Sequence, residues 1–275
     1  MSTSNGIIYL LSGTSHAVRL VISLVSLRQQ YQGSVTVFTT DNDAAEVGDW
    51  ISGDPRLNTH HVRLDQDLKR RKGAYLFKTR LHEFSPYDVT AYLDCDTVVT
   101  GSLDELFEFQ DARQMVVTQF CDWVTTGRII SGRIRSWKDT HPELVEPALQ
   151  FGPAINTGIF AFTRQSEILK HWSSVTERGK RHFIPDEVAM QLLVPQYPCH
   201  VLDGRFNCSC IYGELSSADV RVIHFHGGKH IKKTKTDRWL VTYESAIDDN
   251  IANLKSWTPS GDKRLASHLE ETDGV

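Results

Sequence analysis

Ile7-Ile8-Tyr9-Leu10-Leu11 is a short apolar run that stops at Ser12-Gly13-Thr14-Ser15, and Ala17 to Gln30 then carries leucine, valine and isoleucine at helical spacing. A strand that turns into a helix within one loop constrains the fold more than any other feature of the chain. A run that is apolar at every position needs cover on both faces, and a helix on each side of a sheet gives it. The Ser15 hydroxyl is expected to cap the helix. Val35 to Thr39 and Thr59 to Leu64 read as the next strands, so strand, loop and helix repeat in an order that predicts an α/β sheet with parallel neighbours. Sheets of this kind hold ligands beyond the carboxyl ends of their strands.

Val89 to Leu93 is a further buried-type strand and runs directly into Asp94-Cys95-Asp96. Asp104 to Phe109 reads as a short helix and Met115 to Thr118 as a strand. Residues 121–150 read as an inserted loop or helical region beside the sheet. Ile155 to Phe162 is predicted as a strand, 164–178 as a helix, and Glu187 to Val194 as a helix begun by Pro185-Asp186. Arg221 to Phe225 is a late strand that ends in His226-Gly227-Gly228-Lys229-His230. No repeat or linker divides the chain. We expect one domain over residues 1–255 and a polar tail over 256–275.

The chain has 275 residues, 40% hydrophobic and 23% charged, which excludes wholesale disorder. A net charge of −4, with no zinc-finger spacing and no basic-aromatic stripe, argues against a nucleic-acid partner. The best apolar run, Val18 to Leu27, is too short to span a bilayer and contains Arg19, so no transmembrane segment is expected. Met1 to Gly6 lacks a signal-peptide layout, and five scattered cysteines (Cys95, Cys121, Cys199, Cys208, Cys210) suit reduced thiols; both point to a cytoplasmic protein.

Four groups of residues bear chemistry. Asp94 and Asp96, one residue apart where the chain leaves a strand, offer hard oxygen ligands to Mg²⁺ or Mn²⁺. A calcium loop does not fit, because Val98 and Val99 stand at its fifth and glycine positions. His224-Phe225-His226-Gly227-Gly228-Lys229-His230 combines imidazoles, glycines that admit a phosphate, and a cation; at most one of His224 and His226 serves as a ligand. Asn156-Thr157-Gly158 offers an amide to a sugar hydroxyl. Asp186-Glu187 either faces a cationic centre or favours the start of a helix. Phosphate-loop, dinucleotide, nucleophile-elbow and zinc-helix signatures are all missing.

In this order, the segments Ile7 to Leu11, Ala91 to Val99, Ile155 to Phe160 and His224 to Gly227 resemble retaining nucleotide-sugar glycosyltransferases of the GT-A fold, closest to family 8, the glycogenin-like group. The resemblance spans about residues 6–232. It implies a single GT-A domain with a mostly parallel, Rossmann-like nucleotide-binding sheet. The implied metal ligands are Asp94, Asp96 and His224, for Mn²⁺ or Mg²⁺. Leu11, Ser12, Gly13, Thr14, His16, Lys78, Asp94, Cys95, Gly227 and Lys229 would contact the nucleotide, with Arg80 near the donor. Asn156, Thr157 and Asp186 would bind the sugar, and Asp186 and Glu187 would carry catalysis.

Three departures accompany the match. Glu187 stands where the family has an amide. Thr157 stands where alanine is commoner. The first loop lacks the family's acid and tyrosine. The implied activity is metal-dependent transfer of a hexose from a nucleotide-diphosphate sugar, a UDP-sugar, to a glycan, protein or lipid-linked acceptor, with retention. The alternatives are a non-catalytic nucleotide-sugar-binding protein, a sugar-nucleotide hydrolase or nucleotidyltransferase, and a peripheral membrane protein using the basic segments 69–72 and 229–238.

Overall fold

The structure is a computed structural model that describes residues 4–64, 71–121, 123–209 and 219–226. Gly227, Lys229, the first half of the basic segment 69–72, the segment 229–238 and the expected boundary after residue 255 lie outside the described residues. Seven strands form the main sheet: β1 (Asn5–Leu11), β2 (Ser34–Thr39), β3 (Thr59–Arg63), β4 (Val89–Leu93), β6 (Met115–Cys121), β7 (Ala154–Thr163) and β8 (Cys199–Leu202). A smaller sheet contains β5 (Thr97–Val99), β9 (Cys208–Ser209) and β10 (Val222–His224). The helices are α1 (Ala17–Gln30), α2 (Asn42–Gly53), α3 (Arg71–Lys78), α4 (Trp123–Arg135), α5 (Pro142–Gln150), α6 (Leu169–Arg178) and α7 (Pro185–Leu193).

The main sheet runs β3-β2-β1-β4-β7-β6-β8. β1, β2, β3 and β4 are parallel, β7 is antiparallel to both β4 and β6, and β6 and β8 are parallel again. Alternation divides the apolar runs between two cores. Ile7, Tyr9, Leu11, Ala91, Leu93, Ile159 and Ala161 pack on the α1 side with Leu20, Leu24 and Leu27. Ile8, Tyr92, Phe160 and Phe162 face the other way, against Trp137, Trp172 and the apolar side of α7. Every residue of β7 is buried, as a central strand covered on both faces requires, and that includes the polar Asn156 and Thr157.

The element ends show where local signals mislead. His16, not Ser15, is the N-cap of α1, and no side chain caps it. Instead the Ala17 N–H bonds to the Thr14 carbonyl, leaving Ser15 exposed. Residues 42–53 carry too many polar residues and glycines to read as a helix. They form α2 because Asp41 caps it and Ala44, Ala45, Val47 and Ile51 are buried. The inserted region resolves into α4 and α5, and the helix expected over 164–178 begins only at Leu169. Asp104–Phe107 is a 3-10 turn.

Because β7 is antiparallel to β4, with Leu93 opposite Ile159, the strand enters past the end of its neighbour. Asn156, Thr157 and Gly158 therefore lie beside Asp94, whose N–H donates to the Gly158 carbonyl at 2.7 Å. The small sheet closes this end from the other direction, since His224 of β10 pairs with Thr97 of β5 just after Asp96.

Candidate active site

Asp94, Asp96 and His224 present ligand atoms that all lie within 4.8 Å of one another. His224 Nε2 is 3.2 Å from Asp96 Oδ1 and 3.7 Å from Asp94 Oδ2. The opposite side of the imidazole fixes the orientation of the ring. Asn207 uses its amide nitrogen to donate to Thr118 Oγ1 and to Asn156, so its Oδ1 accepts from His224 Nδ1 at 2.9 Å. With Nδ1–H engaged by Asn207, Nε2 is the nitrogen that faces the two carboxylates; it donates to Asp96 when protonated and would offer its lone pair to a bound cation. Metal-binding histidines are oriented in this way, so the three residues fit a divalent cation. Gly158 makes room for the ring: a Cβ there would stand 2.1 Å from His224 Cε1.

The charges around the cluster are tightly balanced. Lys78 is buried at the end of α3 and donates to both Asp94 oxygens at 3.0 and 3.2 Å, with Asp186 Oδ2 at 3.8 Å. Burial alone would lower its pKa, but Asp94 and Asp186 reverse this, and the ammonium is held above its ordinary value. Tyr92 donates to Asp94 Oδ1 at 2.5 Å. Burial pushes Asp96 up, but the His224 hydrogen bond, His16 and Arg19 outweigh it and hold the carboxyl well below the usual range. In return, Asp96 raises His224 against the lowering effect of burial.

The acidic pair opens α7, and its two members have different surroundings. Asp186 Oδ2 accepts from Thr157 Oγ1 at 3.0 Å, while Oδ1 is buried with no hydrogen-bond partner among the described residues. Desolvation raises its pKa, with Lys78 opposing. Glu187 is held at both oxygens, by Arg133 Nη1 at 2.9 Å and Asn156 Nδ2 at 2.6 Å. Burial pushes it up to about 7 despite Arg133, and Asp186 adds to the shift. The residue before Pro185 is strained: Ile184 has φ of 45°. A β-branched side chain in the left-handed region costs ~1–3 kcal/mol and persists only where the surroundings enforce it.

The first loop lies at the end of β1, as its place after the strand implies. Gly13 has φ of 68°, and its N–H donates to Asp41 Oδ2 at 2.7 Å. Leu11 is buried, Ser12 and Thr14 are half-buried, and His16 is exposed. The Cys95 thiol turns inward and donates to the Leu10 carbonyl at 3.3 Å, which leaves only its backbone for a nucleotide. Arg80 is drawn off to a bidentate pair with Glu83. His226 bonds to Ser209 Oγ at 2.6 Å. Tyr92, Asn207, Arg133, Arg19 and Asp41 were not legible as site residues. Only Tyr92 carried a signal, standing two residues before Asp94 and so on its face of β4.

The fold is shared with solved enzymes. Mouse xyloside xylosyltransferase 1 superposes with a TM-score of 0.58 at 13% identity, over 82% of this chain and 99% of that one. Galactosyltransferase LgtC, solved with donor and acceptor sugar analogues, gives 0.56 at 15% identity, over 81% and 87%. The chain has the GT-A glycosyltransferase fold. A third GT-A structure is an active-site mutant of LgtC with glutamine changed to glutamate, at 16% identity and a TM-score of 0.56, over 81% of this chain and 87% of that one. No family model matches the sequence, and no curated sequence does. Among the described residues, no helix is long and apolar enough to cross a membrane.

Proposed function

We propose that this chain is a metal-dependent glycosyltransferase that moves a hexose from a nucleotide-diphosphate sugar, a UDP-sugar, to an acceptor hydroxyl with retention. The acceptor is a glycan, protein or lipid-linked sugar, and residues 1–255 form the catalytic domain. The observation that carries this reading is one continuous network: Asp94, Asp96 and His224 joined through Lys78 to Asp186, and through Asn207 and Asn156 to Glu187.

When bound between Asp94, Asp96 and His224, Mn²⁺ or Mg²⁺ supplies positive charge against the departing diphosphate. Lys78 is the chain's own buried cation at the same place. Asp186 positions the sugar, since its unpartnered oxygen is the one left for a hydroxyl, and its charge favours the cation-like anomeric centre as the bond breaks. Glu187, with both oxygens occupied, anchors Asn156 and the start of α7. LgtC becomes an active-site mutant when a glutamine turns to glutamate. Here a glutamate follows Asp186 naturally, and Arg133 balances its charge. The loop 12–16 and the Asp94-Cys95 backbone receive the nucleotide, joined by Gly227 and Lys229. The free thiols of Cys95, Cys199 and Cys208 suit a cytoplasmic setting.

The test is a panel of nucleotide sugars with purified protein, with Mn²⁺ and with chelator, following nucleoside-diphosphate release and the anomeric configuration of any product. Metal-dependent transfer with retention supports the proposal. Tight donor binding without turnover would replace it with a binding protein, and release with no acceptor engaged would point to a hydrolase.

A further inference from the structure

Among the described residues only two large apolar side chains are exposed, Val62 at 39% and Phe183 at 66%. Val62 lies on the edge strand β3. Phe183 stands at the rim of the acidic pair, and its setting is built. The residue before it, His182, turns inward and stacks on buried Trp137 with ring centroids 4.9 Å apart. The residue after it is the strained Ile184, followed by Pro185 at the first position of α7. The backbone is thus pinned on both sides of an aromatic ring that faces outward. The Arg133 guanidinium lies 5.1 Å from the centre of that ring and also donates to Glu187 at 2.9 Å. One cation therefore ties an exposed aromatic face to a buried carboxylate.

We propose that Phe183, held by Arg133, is the platform on which the acceptor's sugar ring stacks, so that the acceptor is a glycoside rather than a free protein hydroxyl. This rests on the glycosyltransferase reading above. A pyranose presents one face of polarised C–H groups and a rim of hydroxyls. An aromatic ring meets the first and a guanidinium the second, the pairing that amphipathic binding pockets use. The strain at Ile184 then has a purpose, since relaxing the backbone there would swing Phe183 away from Arg133.

Two measurements test this. The first compares transfer to a panel of para-nitrophenyl glycosides with transfer to water. Phe183→Ala should lower the ratio of transfer to hydrolysis about tenfold, with Phe183→Tyr restoring most of it and Val62→Ser leaving it as in the wild type. The second needs no turnover: in Phe183→Trp, titration with the same glycosides should change the indole emission relative to wild type. If the wild-type protein turns over no donor, the enzymatic reading fails, and the Phe183→Trp titration still decides the platform. An unchanged ratio in Phe183→Ala, or a silent Phe183→Trp, overturns the proposal. So does a Phe183→Trp emission that responds to anionic phosphatidylserine vesicles and not to glycosides.

Discussion

Three residues each carry a separable part of the site. Asp186→Asn keeps the shape and the Thr157 bond but removes the charge presented to the donor. We expect kcat to fall about 10²-fold or more while donor KM changes little, because the lost interaction is one that strengthens as the bond breaks. Initial rates over a donor range check this, and a near-normal kcat would return Asp186 to a purely structural role. Gly158→Ala inserts a methyl group into the rigid His224 ring. It should cost ~1–3 kcal/mol and weaken metal affinity, read by thermal unfolding and Mn²⁺ titration. Glu187 carries a pH signature. Its pKa is about 7 in the folded protein against an ordinary glutamate value of 4.5, so the folded state holds the proton more tightly. Stability contributed by this group is full below about 4.5 and declines as pH rises to about 7. Glu187→Gln should therefore gain stability over the wild type as pH rises across that window, on the order of 1–3 kcal/mol, read by urea unfolding at several pH values.

At the scale of the element, loops between strands and helices do the positioning. Asp41 serves two loops at once: Oδ1 accepts from Ala44 N at the start of α2, and Oδ2 accepts from Gly13 N in the left-handed turn after β1. Asp41→Ala should lose ~1 kcal/mol of capping free energy and loosen the first loop. The expected result is a donor KM raised severalfold with kcat largely kept, checked by donor titration beside a melting curve. The antiparallel insertion of β7 works in the same way. It carries no chemistry itself, yet it brings Asn156 and Thr157 level with Asp94 and against the first turn of α7.

Across the whole molecule, the candidate metal cluster joins two sheets. Asp94 and Asp96 follow β4 of the main sheet, and His224 belongs to β10 of the small one. A cation bound by all three would link them, and anything that binds the folded state alone stabilises it. Mn²⁺ at about a hundredfold excess over its Kd should add ~2.7 kcal/mol. At roughly 2–4 °C per kcal/mol for chains of 150–250 residues, Tm should rise by about 5–10 °C. Asp96→Asn should abolish most of the rise. Differential scanning fluorimetry with and without chelator reads both, and an equal rise in the mutant would remove Asp96 from the ligand set.

The sequence by itself determined the periodic parts. Apolar runs of five residues that stop at turn residues are too short for helices and read as strands covered on both faces, and helical spacing at 17–30 leaves one place for α1. Asp94-Cys95-Asp96 and His224 were legible because residue type and position at a strand end already limit the chemistry. Tertiary structure decided everything that needs two distant segments. Arg133 meets Glu187 across 54 positions and Asn207 meets His224 across 17. Neither pairing leaves a local period or a turn signal. The same holds for α2, whose apolar face is too interrupted to be read until β3 and α1 cover it. Folding also separated two adjacent acids that looked alike. Asp186 and Glu187 share a helix turn and a charge, and only the packed neighbours give one an unpartnered oxygen and the other a guanidinium.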